Sequence, residues 1–333
     1  MIAFLIRRII QAVTVLLAVS LITFGLFFLV PKLTGSDPAA LFAGRVTNPD
    51  ALNGIRIKLG LNHPLLQQYW DYLGGFFHAR HFDDGPDKTT CSWPCLGYSF
   101  KNDLSVGHLI ADRFPVTLSL AIGAPIIWLV TGVTVGRISA LRPRSMADRA
   151  SMLVALAAIS LPVYFTAAVL RLFVVYDWHW LPDINYVGFT HDPVLWAKNL
   201  LLPWISLATL YAASYARFTR ASMLDVLNED YIRTARAKGL PERTVINRHA
   251  MRPVGTLIIT LFGMDVGALM GGAILTESVF GLPGLGKLGY DAISQHDLPI
   301  IMGVTILAAF FIVVANVVVD MLYAVIDPRV RLS

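Results

Sequence analysis

RFTRASMLDVLNEDYIRTARAKGLPERTVINRHAMRP, residues 217–253, decides how the rest of the chain is read. It carries eight basic side chains, Arg217, Arg220, Arg233, Arg236, Lys238, Arg243, Arg248 and Arg252, between strongly apolar segments. Gly239-Leu240-Pro241 interrupts it. A glycine ends a helix by taking positive φ, and a proline suits the first position of the next helix. Glu242 follows in that first turn, where a negative charge complements the helix dipole. The expected order is helix, tight turn, short helix, then a membrane span. A segment this long and this helical is more than a bare connector, although its basic residues alone could serve only to fix orientation in a membrane.

The flanking segments supply the membrane. The 333 residues are 56% hydrophobic and 15% charged, with a mean hydropathy of +0.62. A soluble domain carries about a quarter charged residues, so this is the composition of a polytopic membrane protein. Residues 9–30 are free of charge, and at about 1.5 Å per residue they cross a hydrocarbon core of about 30 Å. A secretory signal has a shorter apolar region of about 7–15 residues, so the first run is read as an uncleaved span. Further charge-free runs cover 116–135, 151–170 and 199–216. Residues 253–276 carry only Asp265, and 298–326 only Asp320. Six helical spans are expected, the fourth the shortest.

Six spans place both termini on one side. That side holds Arg7, Arg8, Arg137, Arg142, Arg144, Arg149, the basic residues of 217–253, Arg329 and Arg331. The excess of arginine and lysine marks it as cytoplasmic. The net charge of +5 therefore follows membrane topology and is not a nucleic-acid signal. The third run contains Ser160-Leu161-Pro162, and a proline inside a span kinks it. Arg171, near the outer end, is placed to snorkel. Trp178, Trp180, Trp196 and Trp204 are placed as an interfacial belt.

Residues 31–114 are the only large extramembrane piece, expected to hold short helices over 50–59 and 64–77 and little other regular structure. Both cysteines, Cys91 and Cys95, lie in it as CSWPC. Two free thiols are one reading. An extracytoplasmic loop favours a disulfide. A zinc site needs about four ligands, of which His78 and His81 could supply two, and no metal is assigned.

Enzymatic motifs are absent or misplaced. Gly281-x4-Gly286-Lys287 approaches a phosphate loop, but Leu288 occupies the place of the Mg-ligating Ser or Thr. Gly284-x-Gly286-x-x-Gly289 matches a dinucleotide fingerprint by letters alone, outside any βαβ unit. There is no HExxH, no GxSxG and no carboxylate pair at helical spacing within a span. A self-contained membrane enzyme is thereby disfavoured. An ion-coupled transporter would show internal repeats with matching broken helices, and no such repeat is visible.

EDYIRTARAKGL (229–240), with RHAMRP behind it, resembles the cytoplasmic loop of permease subunits in binding-protein-dependent ABC importers. Specifically it is similar to the dipeptide/oligopeptide permease family, which also includes nickel permeases. The general importer loop has Glu-Ala-Ala, three residues, then Gly. Here Arg233, Thr234 and Ala235 hold the first three places and Gly239 the last, so the Glu-Ala is absent, and Arg-Thr-Ala is common in the peptide-type subfamily. DPAALFAG from Asp37, LGLNHPLLQQYWDYLGGF from Leu59, LGYSF from Leu96, ESVFGLPGLGKL from Glu277 and the terminal DPRVR extend the likeness. Residues 78–94 look like an insertion.

The resemblance implies an all-α type I ABC importer permease in the plasma or inner membrane of a bacterium or archaeon. Its parts would be a cytoplasmic N-terminus with the first span (1–30), an extracytoplasmic segment (31–114) and a five-helix core (115–330) containing the loop 217–253. It implies that Glu229, Asp230, Tyr231, Arg233, Thr234, Ala235, Ala237 and Gly239 couple the chain to an ATPase subunit. It also implies that Glu277, Phe280, Pro283 and Gly284 stand at the outer mouth of the pathway. The implied partners are a second homologous permease, two ATPase subunits holding ATP and Mg, an extracytoplasmic binding protein and the lipid bilayer. This chain would bear no cofactor and no catalytic residue. Di- or oligopeptides are the implied cargo, with nickel complexes and oligosaccharides as alternatives on similar permeases.

Asp265 stands mid-run, where a charge rarely faces lipid. Gly263, Gly267 and Gly271 recur every four residues, a stripe that suits close helix packing. At about 100° per residue Asp265 points away from Gly263 and Gly267. It is either paired between helices or lines the pathway, where it would attract a peptide's amino terminus.

Overall fold

The computed structural model describes residues 2–35, 37, 39, 48–58, 60–84, 87–99 and 101–326. Helix α1 (Ile2–Phe24) continues through a π-helical turn, Gly25–Leu29, into Val30–Leu33. Two short helices, α2 (Pro49–Lys58) and α3 (Leu65–Gly75), follow. Next come α4 (Val106–Leu141), α5 (Met146–Ser160) and α6 (Val163–Asp177). Helix α7 (Pro193–Leu227), the short α8 (Asp230–Ala237) and α9 (Glu242–Met270) come after them. The chain then forms α10 (Ile274–Phe280), α11 (Leu285–Gln295) and α12 (Leu298–Ile326).

Among the described residues four helices are long and apolar enough to cross a membrane: Ile6–Leu33, Val106–Leu141, Glu242–Met270 and Leu298–Leu322. A fifth arises if α5 and α6 count as one broken span. The expected fourth span lies within α7, which is 35 residues long but not apolar enough to join them.

Several sequence expectations change here. The run 151–170 is not one kinked helix: α5 and α6 meet at 99°. Pro162 drives Leu161 out of the helical region, to φ −90° and ψ 128°, and is itself extended. The run 253–276 is also interrupted, because α9 stops at Met270 and Gly272 takes φ +119°. The short helix expected after Pro241 is not separate, since helix runs from Glu242 into the span. Residues 31–114 hold more regular structure than expected. Strands β1 (Arg80–Asp84) and β2 (Asp87–Cys91) pair antiparallel, Arg80 opposite Cys91, and β3 (Tyr98–Ser99) pairs with β4 (Leu104–Ser105). The first hairpin is the insertion, where Thr89 and Thr90 suit a strand.

The described chain forms two compact units. The first comprises Met1–Thr117, Met270–Ile274 and Pro283–Val314. Its cores gather Phe24, Phe28, Ile55, Leu298 and Met302, and Val106, Ile110, Leu285, Leu288 and Ile300. The Asn102 amide donates to the Asp297 carboxylate at 3.2 Å, and Lys101 donates to the Gln295 carbonyl at 2.9 Å. These bonds tie the second hairpin to the end of α11. Arg56 Nε donates to Asp37 at 3.0 Å, and this guanidinium holds the Asp37 carboxyl below the usual carboxylate range.

Cys91 and Cys95 are joined by a disulfide with 5.5 Å between Cα atoms, buried beside Tyr98. The closed loop is short, so its stabilisation is modest. Alkylation of the unreduced protein should leave both thiols unmodified, and reduction should expose both. Mass spectrometry that finds them alkylated before reduction would contradict the pairing.

The second unit comprises Leu118–Leu269, Leu275–Leu282 and Ala315–Ser333. Within it α5 and α6 both pack on α7. The expected tryptophan belt divides. Trp178 and Trp180 are exposed, as a belt requires. Trp204 is buried, its indole donating to the Ser119 carbonyl at 3.0 Å, and Trp196 donates to the Ser119 hydroxyl at 3.0 Å. Arg171 donates to the Val279 carbonyl at 2.6 Å and to Asp183 at 3.2 Å, so it anchors local structure near the outer end of its helix.

Candidate functional site

The segment between α7 and α9 forms an exposed helix with a fixed turn. Helix α8 buries only Ile232 and Ala235, three residues apart on one face, and packs against Val245–Ala250. Tyr231, Arg233, Thr234, Ala237 and Gly239 remain exposed. Glu229 takes the N-cap place in an extended conformation without a side-chain cap, and Asp230 follows in the first turn. Its pair with Arg233, 3.4 Å apart on the surface, adds little stability.

The C-terminus of α8 is more firmly defined. Gly239 takes φ +77°. The Leu240 amide donates to the Ala235 carbonyl at 3.4 Å and the Gly239 amide to the Arg236 carbonyl at 2.9 Å, the two bonds of a Schellman motif. Arg236 then reaches across the turn to Glu242 through bonds of 2.7 and 3.2 Å. This fork-on-fork pairing gives the clamp a fixed geometry. Two small apolar anchors behind, a glycine turn at one end and an ion pair across it leave the outer face rigid and open.

Sequence reasoning missed the group that holds this region from above. Asp148 is almost fully buried and receives Arg220 Nε at 2.6 Å and Arg220 Nη2 at 2.9 Å. It also accepts from the Ser139 hydroxyl and, at 2.8 Å, from the Arg144 amide. One carboxylate thus joins the ends of α4, α5 and α7, and α7 leads directly into α8. The signal in the sequence was an acid amid basic residues, indistinguishable there from a solvated charge.

Asp265 is half-buried and accepts the Tyr215 hydroxyl at 2.8 Å. Trp128 stacks on neighbouring Tyr211, ring centroids 4.4 Å apart. The acid is therefore hydrogen-bonded across two helices. The glycine stripe is only partly realised. A Cβ at Gly263 would come 1.9 Å from Val319 Cγ2, so a neighbouring helix does approach there. Gly271 falls beyond the helix end.

The outer-mouth candidates fall in both units. Glu277 and Phe280, which belong to the second unit, are fully buried. In the first unit Pro283 precedes Gly284, the N-cap of α11. The glycines of the phosphate-loop look-alike serve packing: a Cβ on Gly286 would stand 2.6 Å from the Ile274 amide nitrogen. Among the described residues no cluster of His, Cys, Asp or Glu could hold a metal.

Comparison with known proteins gives consistent results. Residues 132–332 match the family described as binding-protein-dependent transport system inner membrane component. Residues 1–121 match the N-terminal family of such membrane components. A Brucella abortus (strain 2308) protein, whose name places it in a peptide transport system as a permease, is 38% identical over 331 residues, 99% of each chain. The dipeptide transport system permease protein DppB of Escherichia coli (strain K12) is 34% identical over 355 aligned positions, again 99% of each. Among solved structures, a chain of the MetNI methionine ABC transporter in inward-facing conformations superposes with a TM-score of 0.51 at 15% identity. That match covers 66% of this chain and 97% of the other, and it indicates a shared fold.

Proposed function

We infer the function from one premise: the chain belongs to the family of inner membrane components of binding-protein-dependent transport systems. It is the permease subunit of an importer, built on the type I ABC importer permease fold. The observation that carries a peptide cargo is the end-to-end identity with proteins named as peptide and dipeptide permeases.

In this reading the chain crosses the plasma membrane six times, with α7 supplying the fourth span and the bent pair α5–α6 the third. Both termini and α8 face the cytoplasm. The exposed face of Tyr231, Arg233, Thr234 and Ala237 docks in a groove on an ATPase subunit, where ATP and Mg are bound. A second permease and a second ATPase complete the assembly. An extracytoplasmic binding protein delivers the peptide to residues 31–114. Closure of the ATPases pulls α8, and through α7 and α9 the motion reaches the pathway.

The test is reconstitution. Assembled with its partners in vesicles, the chain should take up labelled dipeptides only with the loaded binding protein and ATP present. Purification of the chain alone, without an ATPase subunit, would contradict the assembly.

Asp265 is the polar group proposed for the pathway. The Tyr215 hydroxyl satisfies one lone pair and leaves others for a passing ammonium. The attraction must stay weak, because a tight site would trap cargo. Asp265→Asn is expected to lower uptake of peptides with a free amino terminus and to spare N-acetylated ones. Equal losses for both, with assembly and ATPase activity intact, would show that Asp265 does not read the amine.

A further inference from the structure

We propose that α3, Leu65–Gly75, lies in the outer leaflet of the membrane, with Leu66 and Trp70 against lipid. This rests on the reading of α1 as a span and revises the expectation that all of 31–114 stands in water.

Depth is the first argument. Tyr69 of α3 hydrogen-bonds Ser20 of α1 at 3.0 Å, hydroxyl to hydroxyl. Its ring lies 5.2 Å from that of Phe24, and Tyr72 lies 6.0 Å from the same ring. Phe24 and Phe28 form one buried cluster with these tyrosines packed on it. Ser20 is eleven residues beyond Ile9, where the charge-free run begins. At about 1.5 Å per residue that is about 16 Å from the cytoplasmic edge of a core of about 30 Å. Helix α3 therefore packs on α1 in the outer half of the bilayer, where its free sides meet lipid or the headgroup layer.

The distribution of side chains around α3 is the second. With Tyr69 as the reference and about 100° per residue, Leu65 and Tyr72 fall on the side facing α1. Leu66, Trp70 and Leu73 fall about 40–100° to one flank, while Gln67 and Asp71 fall about 160–200° away. The helix thus has a protein side, an apolar flank and a polar back, the pattern of an amphipathic helix lying in the membrane plane. Leu66 is 70% exposed and Trp70 63% exposed. Phe77, 73% exposed, continues the flank past the helix end. Trp93 of the disulfide loop adds to it: its indole donates to the Phe76 carbonyl at 3.0 Å while the ring stays 65% exposed. Tryptophan and other aromatics concentrate at the membrane–water boundary. At the same level Leu21 and Ile22 of α1 and Leu26 of the π-helical turn are exposed as well.

The experiment uses nitroxide labels in the assembled importer, in lipid nanodiscs and without the binding protein. The native cysteines are paired, so Leu66→Cys, Trp70→Cys, Gln67→Cys and Leu21→Cys each offer one thiol. All four sites are exposed, so labelling leaves the core intact. Labels at 66 and 70 should collide freely with oxygen and be shielded several-fold from a water-soluble nickel chelate, while the label at 67 shows the reverse. The label at 21 tests the span itself. Shielding at 21 with free access of the chelate to 66 and 70 overturns the proposal and leaves the span reading standing. Shielding of 66 and 70 only after the binding protein is added makes this flank a protein docking surface and also overturns it. Free access at 21 as well would overturn the proposal together with the span.

Discussion

Asp148→Ala is expected to destabilise the chain by about 3–5 kcal/mol, the usual cost of removing one partner of a buried ion pair. The carboxylate is the meeting point of Ser139, Arg144 and Arg220. Its loss leaves the Arg220 guanidinium partly buried without its acceptor and frees the start of α5. Arg220→Met alone should cost less, since the backbone and hydroxyl donors to Asp148 remain. Asp148→Ala with Arg220→Met together should recover part of the loss of the first, because no charge is then stranded. Thermal unfolding of purified protein in detergent reads all three. A single Asp148→Ala variant that melts with the wild type would show that the pair is not structural.

Gly239→Val is expected to uncouple ATP hydrolysis from uptake. Left-handed backbone costs an L-residue about 1–2 kcal/mol, and β-branching adds to it. A Cβ at Gly239 meets no atom within 4 Å, so the effect is backbone strain and not a clash. Relief of that strain means loss of the Schellman bonds and rotation of the Arg236–Glu242 clamp, which shifts α8 against whatever it docks on. Gly239→Asn should retain most uptake, because asparagine tolerates this conformation. The assay compares peptide uptake with ATP turnover in vesicles. Valine at 239 with normal assembly and normal uptake would refute the role of the turn.

The two variants also mark what was legible in the sequence. Gly239-Leu240-Pro241 announced its own geometry, because only local chemistry decides a helix end. The boundaries of α2 and α3 were legible for the same reason. The apolar runs located membrane helices but not their breaks. Leu161-Pro162 was expected to bend a span and instead turns the chain through 99°. Gly271-Gly272 hid inside a run whose hydropathy never falters. The Asp148–Arg220 pair joins residues 72 positions apart, and no periodicity connects them. Asp265 was recognisable as a charge needing a partner, yet Tyr215 could not be named without the fold. The full burial of Glu277 and Phe280 likewise follows from tertiary packing that no local pattern indicates. The hairpin of the insertion was missed because strands this short carry too few residues for a period.

A photo-reactive side chain in place of Tyr231 tests directly whether α8 is the surface that receives force from an ATPase. Tyr231 is half-exposed on the helix, so its replacement leaves the Ile232 and Ala235 anchors intact. Irradiation of the assembled importer is expected to give a covalent adduct between this chain and an ATPase subunit, with its yield changing when ATP is added. An adduct confined to lipid or to the extracytoplasmic binding protein would contradict it.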